Sequence, residues 1–168
     1  MVLFSSYSPL ALHFLPPVLE HLANRGERVS CAESCTGGGV CRILTSVPGA
    51  SRVVTGGVVA YDTAVKSRIL GVDEAILTRS GVVSPETAMA MALGVQRLLR
   101  TEWGIATTGY AGPGGGDERF GTGNVCFAIA SPRNAVYRAW HRSFHGPRED
   151  VMQAAALHLI EQWADCAL

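Results

Sequence analysis

Charge is scarce in this chain of 168 residues: 17% are charged, the formal net charge is zero, and lysine occurs once, at Lys66. A general nucleic-acid binder carries a basic surplus and a membrane-surface protein a polybasic cluster, so neither nucleic acid nor a membrane is an expected partner. No apolar run approaches the length of a membrane-spanning helix. No lysine or arginine precedes Arg25, so Met1-Val2-Leu3-Phe4 lacks the charged start of a secretory signal, and the expected compartment is the cytoplasm. The five cysteines are odd in number and form no C-x-x-C, and the five histidines have no cysteine partner at zinc-site intervals. Reduced, mostly buried thiols and no metal site are the expectation.

With 48% hydrophobic residues, the chain has material for one core, and residues 1–168 read as a single domain. Leu10, Phe14, Val18 and Leu22 have helical spacing. Pro16-Pro17 either splits that segment or opens its helix, and Asn24-Arg25-Gly26 ends it. Arg28 to Cys31 reads as a strand, followed by a helix from about Gly38 to Thr45 that stops at Pro48-Gly49. Arg52 to Tyr61, rich in Val and Thr with Gly56-Gly57 inside, reads as a buried strand with a bulge or a close backbone approach. Asp62 is placed to cap a helix from Thr63 to Leu70, and Asp73 to Arg79 forms another short one.

Ser84-Pro85-Glu86-Thr87 combines a cap, a proline at the first helical position and an acid in the first turn, opening a helix that runs to Arg100. Trp103 to Thr108, Asn124 to Ala130 and Ala135 to Phe144 read as strands, and a last helix runs from about Pro147 to Trp163. Ser131-Pro132-Arg133-Asn134 is too short for a parallel crossover, so the two strands it joins must be antiparallel neighbours. Together these elements specify a three-layer α/β/α domain with a mixed sheet.

Three loops are expected at the carboxyl edge of that sheet, where open α/β sheets bind ligands. The first, Ala32-Glu33-Ser34-Cys35-Thr36-Gly37-Gly38-Gly39, sets two nucleophile candidates beside glycines and a helix start whose unpaired N–H groups suit an anion or a developing oxyanion. The same turn also reads as a plain helix entry capped by Ser34 or Thr36. The second loop is Gly109-Tyr110-Ala111-Gly112-Pro113-Gly114-Gly115-Gly116. The third, Tyr61-Asp62, leads to Lys66. Arginine cannot accept a proton in a protein, whereas lysine can if its ammonium is destabilised. With Asp62 as cap, Lys66 is the fourth helical residue, near the positive dipole end, which would lower its pKa. A neutral amine facing Ser34 takes the hydroxyl proton in the serine-lysine form of nucleophilic catalysis; a lone helical lysine is otherwise an ordinary solvated residue.

Ala32-Glu33-Ser34-Cys35-Thr36-Gly37-Gly38, then Tyr61-Asp62-x-x-x-Lys66, then Gly81-Val82-Val83-Ser84, then Gly109-x-Ala111-Gly112-Pro113-x-Gly115-Gly116 resemble, in order, the C-terminal-domain family of competence/damage-inducible protein A, CinA. The resemblance runs from about Arg28 to Trp163. It implies a three-layer α/β/α fold with a five-stranded mixed sheet, one strand antiparallel. Active members are nicotinamide-nucleotide amidohydrolases of pyridine nucleotide salvage, converting nicotinamide mononucleotide and water to nicotinate mononucleotide and ammonia. By matching positions, Ser34 is the nucleophile, Lys66 the base and Tyr61 the active-site tyrosine. Substrate contacts fall on Cys35, Thr36, Gly37 and Gly38, on Thr108, Gly109, Ala111, Gly112 and Pro113, and on Arg148. The implied enzyme uses no metal and no cofactor, takes a small-molecule nucleotide and forms a homodimer. N–H groups near Thr36 to Gly38 would stabilise the oxyanion of a reaction passing through an acyl-enzyme.

The chain departs from the family pattern at three places. Tyr110 stands where the family usually has isoleucine, Phe120-Gly121-Thr122-Gly123-Asn124-Val125 replaces Lys-Pro-Val-Gly-Thr-Val, and Met152 replaces an arginine. Two cations that would face a substrate phosphate are thus missing. The alternative reading is a non-catalytic or differently specific relative that binds a nucleotide or other small molecule through the two glycine loops. A dinucleotide-binding domain is disfavoured, because no G-x-G-x-x-G opens a helix after the first strand.

Overall fold

In the computed structural model, residues 13–168 are described. Leu10, expected to begin the first helix, lies outside them. The helix α1 spans Leu15–Arg25 with the proline pair in its first turn, and Gly26, at φ 64°, closes it in the left-handed conformation that glycine adopts without strain. In order there follow β1 (Val29–Glu33), α2 (Gly39–Thr45), β2 (Val54–Val59), α3 (Thr63–Arg68), α4 (Glu74–Ser80), α5 (Pro85–Leu99), β3 (Trp103–Gly109), β4 (Asn124–Ser131), β5 (Val136–Ser143) and α6 (Arg148–Ala167). The capping residues act as their types require. Asp62 accepts from the Ala64 N–H at 2.7 Å, Asp73 from Ala75 at 2.8 Å, and Ser84 Oγ from Thr87 at 3.0 Å.

The five strands form one sheet in the order β2-β1-β3-β4-β5. β1 pairs parallel with β2 and β3, and β4 pairs antiparallel with both β3 and β5, so β4 alone runs against the rest. The hairpin expected from the short connection after Ser131 is the β4–β5 pair, turned by a 3-10 segment at Pro132–Asn134. Helices cover both faces. On one side, α1, α2 and α6 pack onto Val29, Cys31, Ile105, Val125, Phe127 and Ile129. On the other, α5 packs onto Ala32, Ala106, Cys126, Ala128 and Ala130. The alternation along β4 has the period of two that pleating imposes. Small residues on this face of the sheet let α5 lie close: a Cβ on Gly104 of β3 would collide with the Ala92 carbonyl of that helix.

β2 is shorter and more exposed than the buried strand expected from Arg52 to Tyr61. It is an edge strand, and only Val54 is buried along it. Ala50–Arg52 forms a 3-10 turn instead. The expected bulge is present as a register shift, Val29 facing Val54 while Ser30 faces Gly56. A close approach occurs beside it, since a Cβ on Gly57 would strike Cys31 Sγ and stand 2.9 Å from the Cys31 carbonyl oxygen. β1 reaches two residues beyond Cys31, to Glu33, and so delivers Ser34 at the carboxyl edge of the sheet. Among the described residues, no helix is long and apolar enough to cross a membrane.

Candidate active site

Ser34 follows the last residue of β1, and its N–H donates to the Thr107 carbonyl of β3 at 3.1 Å, tying it to the neighbouring strand. Lys66 reaches back from α3, with Nζ 3.1 Å from Ser34 Oγ and 2.7 Å from the Ala60 carbonyl to which it donates. Ala60 is itself anchored, its N–H donating to the Glu33 carbonyl at 2.7 Å. Lys66 is only 2% exposed and Ser34 8%. Burial holds the Lys66 ammonium below the usual lysine range. The Cys35 sulfur would oppose this only as a thiolate, and burial pushes that thiol up to about 12; Asp62 opposes it more weakly. The cause is therefore not the helix start that the sequence suggests. α3 has six residues and Lys66 already lies in its last turn, where the positive dipole end has faded.

The start of α2 is occupied by the chain's own anion. Glu33 Oε2 accepts from the N–H groups of Gly38 and Val40, each at 3.0 Å, and from Thr36 Oγ1 at 2.7 Å, while Oε1 accepts from Cys41 N at 2.8 Å. The Gly37 N–H is spent on the Ser34 carbonyl and the Gly39 N–H on that of Thr36. Thr36 turns inward, its hydroxyl also 2.7 Å from Thr107 Oγ1. The expectation of open N–H groups from Thr36 to Gly38 is thereby corrected for Gly37 and Gly38, whose amides are engaged, and the Glu33 side chain consumes the helix terminus. The N–H groups of Cys35 and Thr36 have no backbone acceptor among the described residues.

Ser34 and Lys66 open into a cavity of about 220 Å³. Of the residues singled out from the sequence, Ser34, Cys35, Tyr61, Lys66, Thr108, Gly109, Ala111, Gly112 and Arg148 line it, whereas Thr36, Gly37, Gly38 and Pro113 do not. Gly109 permits the approach of β3 to β4 at this point, because a Cβ there would stand 2.6 Å from the Asn124 carbonyl oxygen. Thr108 Oγ1 donates to the Val82 carbonyl at 2.8 Å, bringing the segment before α5 to the wall. Arg148, at the first position of α6, spans the mouth, donating to the Gly112 carbonyl at 2.7 Å and to Tyr61 Oη at 3.1 Å. Tyr61 is 64% exposed and bonds neither Ser34 nor Lys66 among the described contacts.

Thr63, Val82, Val83, Tyr110 and Gly114 also line the cavity. The two valines sit just before the α5 cap, in the Gly81-Val82-Val83-Ser84 stretch that the sequence marks as a family motif without assigning it a place in the site. Among the described residues, no three His, Cys, Asp or Glu side chains converge as metal ligands. His141 and His145 are four apart, but His141 lies in β5 with its ring 5.2 Å from that of Phe120, so the spacing does not place them on one helical face.

The family model described as the CinA C-terminal domain matches residues 15–166. The chain belongs to the CinA C-terminal domain family. A CinA-like protein of Synechocystis sp. is 54% identical over 111 residues, covering 66% of this chain and 27% of that protein. One from Anaeromyxobacter sp. is 46% identical over 143 residues, covering 85% of this chain and 35% of that protein. The chain thus spans about a quarter to a third of the length of these curated relatives. Among solved structures, the competence/damage inducible protein CihA of Agrobacterium tumefaciens superposes with a TM-score of 0.90 at 32% identity, over 98% of this chain and 99% of that one. A CinA superfamily protein of Enterobacter cloacae gives 0.89 at 27% identity, over 100% and 98%. The mixed five-stranded sheet is therefore the CinA fold.

Tyr110, Met152 and the nearby Arg119 have structural partners of their own. Tyr110 donates to Asp117 Oδ2 at 3.1 Å and lies against Gly115. Arg119 is bound to the end of α4, donating to the carbonyls of Ser80 at 2.9 Å and Arg79 at 3.1 Å. Met152 packs over the nucleophile turn, its Cε 3.3 Å from the place a Gly37 Cβ would take.

Proposed function

We propose that this CinA domain is a serine-lysine amidohydrolase that deamidates nicotinamide mononucleotide to nicotinate mononucleotide and ammonia. The observation that carries the reading is the buried Ser34–Lys66 contact at the wall of a cavity, with an amine that burial inclines to be neutral. The Ala60 carbonyl takes one amine hydrogen, which leaves the nitrogen lone pair free to face Ser34. Ser34 Oγ attacks the carboxamide carbon and passes its proton to Lys66 Nζ. Lys66 returns the proton to the departing nitrogen, so the C–N bond breaks with release of ammonia and leaves an ester on Ser34. Water, deprotonated by the same amine, then hydrolyses the ester. The oxyanion faces the N–H group of Cys35, which directly follows the nucleophile as in other hydrolase turns.

At about 220 Å³ the cavity lies below the ~300–1,000 Å³ of drug-sized ligand sites, so it suits the pyridine carboxamide with the ribose phosphate toward the mouth. Arg148 lines that mouth and keeps guanidinium donors beyond the two it gives to Gly112 and Tyr61. Tyr61 is then a rim residue that holds Arg148 in place. No metal or cofactor is required by these steps. A second reading, a relative of different specificity, is favoured by Tyr110 in the cavity wall and by Met152 at an expected arginine. Ammonia release from nicotinamide mononucleotide separates the two. Turnover that disappears in Ser34→Ala supports the amidase, and none with wild-type protein supports the alternative.

A further inference from the structure

We infer that Glu33 is the positioning residue of the nucleophile turn, clamping the bridge from Ser34 to Val40 and thereby setting the distance between Ser34 Oγ and Lys66 Nζ. The inference rests on the serine-lysine reading above. Glu33 is 1% exposed and, among the described residues, forms no ion pair; its carboxylate is satisfied by donors from the turn, namely Thr36 Oγ1 and the N–H groups of Gly38, Val40 and Cys41. Those four donors nearly saturate the lone pairs of an ionised carboxylate. Its main chain holds the other half of the pair: the Glu33 carbonyl accepts from Ala60 N, and the Ala60 carbonyl accepts from Lys66 Nζ. One residue thus fixes the segment after the serine through its side chain and the lysine through its backbone.

The turn needs such a clamp. Gly37 and Gly38 stand at φ 61° and 102°, α2 has only seven residues, and its N-cap Gly38 supplies no side-chain bond. Spending the α2 amides on Glu33 also closes that terminus to substrate anions, leaving the Cys35 N–H for the oxyanion. A clamp differs from a mere stabiliser in what its loss does to a molecule that is still folded: misplacement of a reacting group by about 1 Å can cost on the order of 10²-fold in rate.

The test is the rate at which a fluorophosphonate probe phosphonylates Ser34, with the Oγ–P bond formed as fluoride leaves, followed by intact-protein mass at a temperature where circular dichroism shows every variant folded. Glu33→Gln offers one acceptor oxygen and an NH₂ that faces backbone donors, and labelling is expected to slow about 10- to 100-fold. Thr36→Val, which removes one donor, should slow it as well, while Thr36→Ser keeps the hydroxyl and should label at close to the wild-type rate. Folded Glu33→Gln labelled as fast as wild type, with only its melting temperature lowered, overturns the inference. Should Glu33→Gln not fold, equal labelling of Thr36→Val and Thr36→Ser overturns it. A wild-type protein that never labels at Ser34 removes the serine-lysine reading and this inference with it, so the two failures are told apart.

Discussion

Exchanging Lys66 for arginine keeps a cation and most of the length while removing the ability to shed a proton near neutral pH. In the structure Nζ touches Ser34 Oγ at 3.1 Å and the Ala60 carbonyl at 2.7 Å in a space 2% exposed, so the two obvious variants perturb different things. Lys66→Ala takes from the Ala60 carbonyl its one side-chain donor among the described residues, a loss of about 1–3 kcal/mol in stability, offset in part by removing a poorly solvated amine. Lys66→Arg adds a larger planar group to a packed site, at about 1–3 kcal/mol. If Lys66 is the base, both should lose kcat by roughly 10²–10⁴ in an ammonia-release assay, and by similar amounts. If it only neutralises a bound phosphate, Lys66→Arg should keep most of its kcat and Lys66→Ala should chiefly raise KM. Lys66→Arg with kcat within a few-fold of wild type refutes the role of the amine as base. Because the chain has no other lysine, an amine-selective reagent that abolishes turnover can act only at Lys66 or the N-terminus.

Burial lowers the Lys66 pKa below the value of about 10.4 that lysine has in an unfolded chain. Between those two values the unfolded state binds more protons, so this group makes stability rise with pH there, and Lys66→Met should flatten that rise in urea titrations. The same lowered pKa should form the acidic limb of kcat/KM, with activity rising as the amine becomes neutral; a limb unchanged in position by altering the burial of Lys66 would assign it elsewhere. Tyr110→Ile breaks the bond to Asp117 and widens the cavity wall, so KM for nicotinamide mononucleotide should fall with kcat little changed; a higher KM would show that the ring contributes to binding. Ser84→Ala removes the cap of α5 and should cost about 0.5–2 kcal/mol in denaturant unfolding, without altering ammonia release per folded molecule.

Most elements of the fold were legible because their signals are local. Asp62, Asp73 and Ser84-Pro85 cap what their side chains can reach, Gly26 ends α1, and the short link after Ser131 leaves only an antiparallel hairpin. The exposure of β2 was not legible, since being at the edge depends on strand order, which no single segment carries. The same division holds at the site. Ser34, Lys66 and the Thr108–Gly112 stretch stand at strand or helix ends that the pattern locates, and the cavity brings them together. The reason for the lowered Lys66 pKa was misread as a helix effect, because burial of a helical lysine is decided by tertiary packing. Glu33 escaped notice for a related reason. In sequence it ends a strand, and only the fold turns its carboxylate back over the residues that follow it. Thr36 accordingly faces Glu33 and Thr107 rather than the cavity.

The most direct test of a Ser34 ester intermediate is mass analysis of acid-quenched mixtures of the wild-type protein with saturating nicotinamide mononucleotide, digested and read at the peptide carrying Ser34. The expected result is a peptide heavier by the nucleotide less ammonia, present during turnover and lost as substrate is consumed, with neither adduct nor ammonia in Ser34→Ala. Steady ammonia release with that peptide unmodified at every time, persisting in Ser34→Ala, would contradict it.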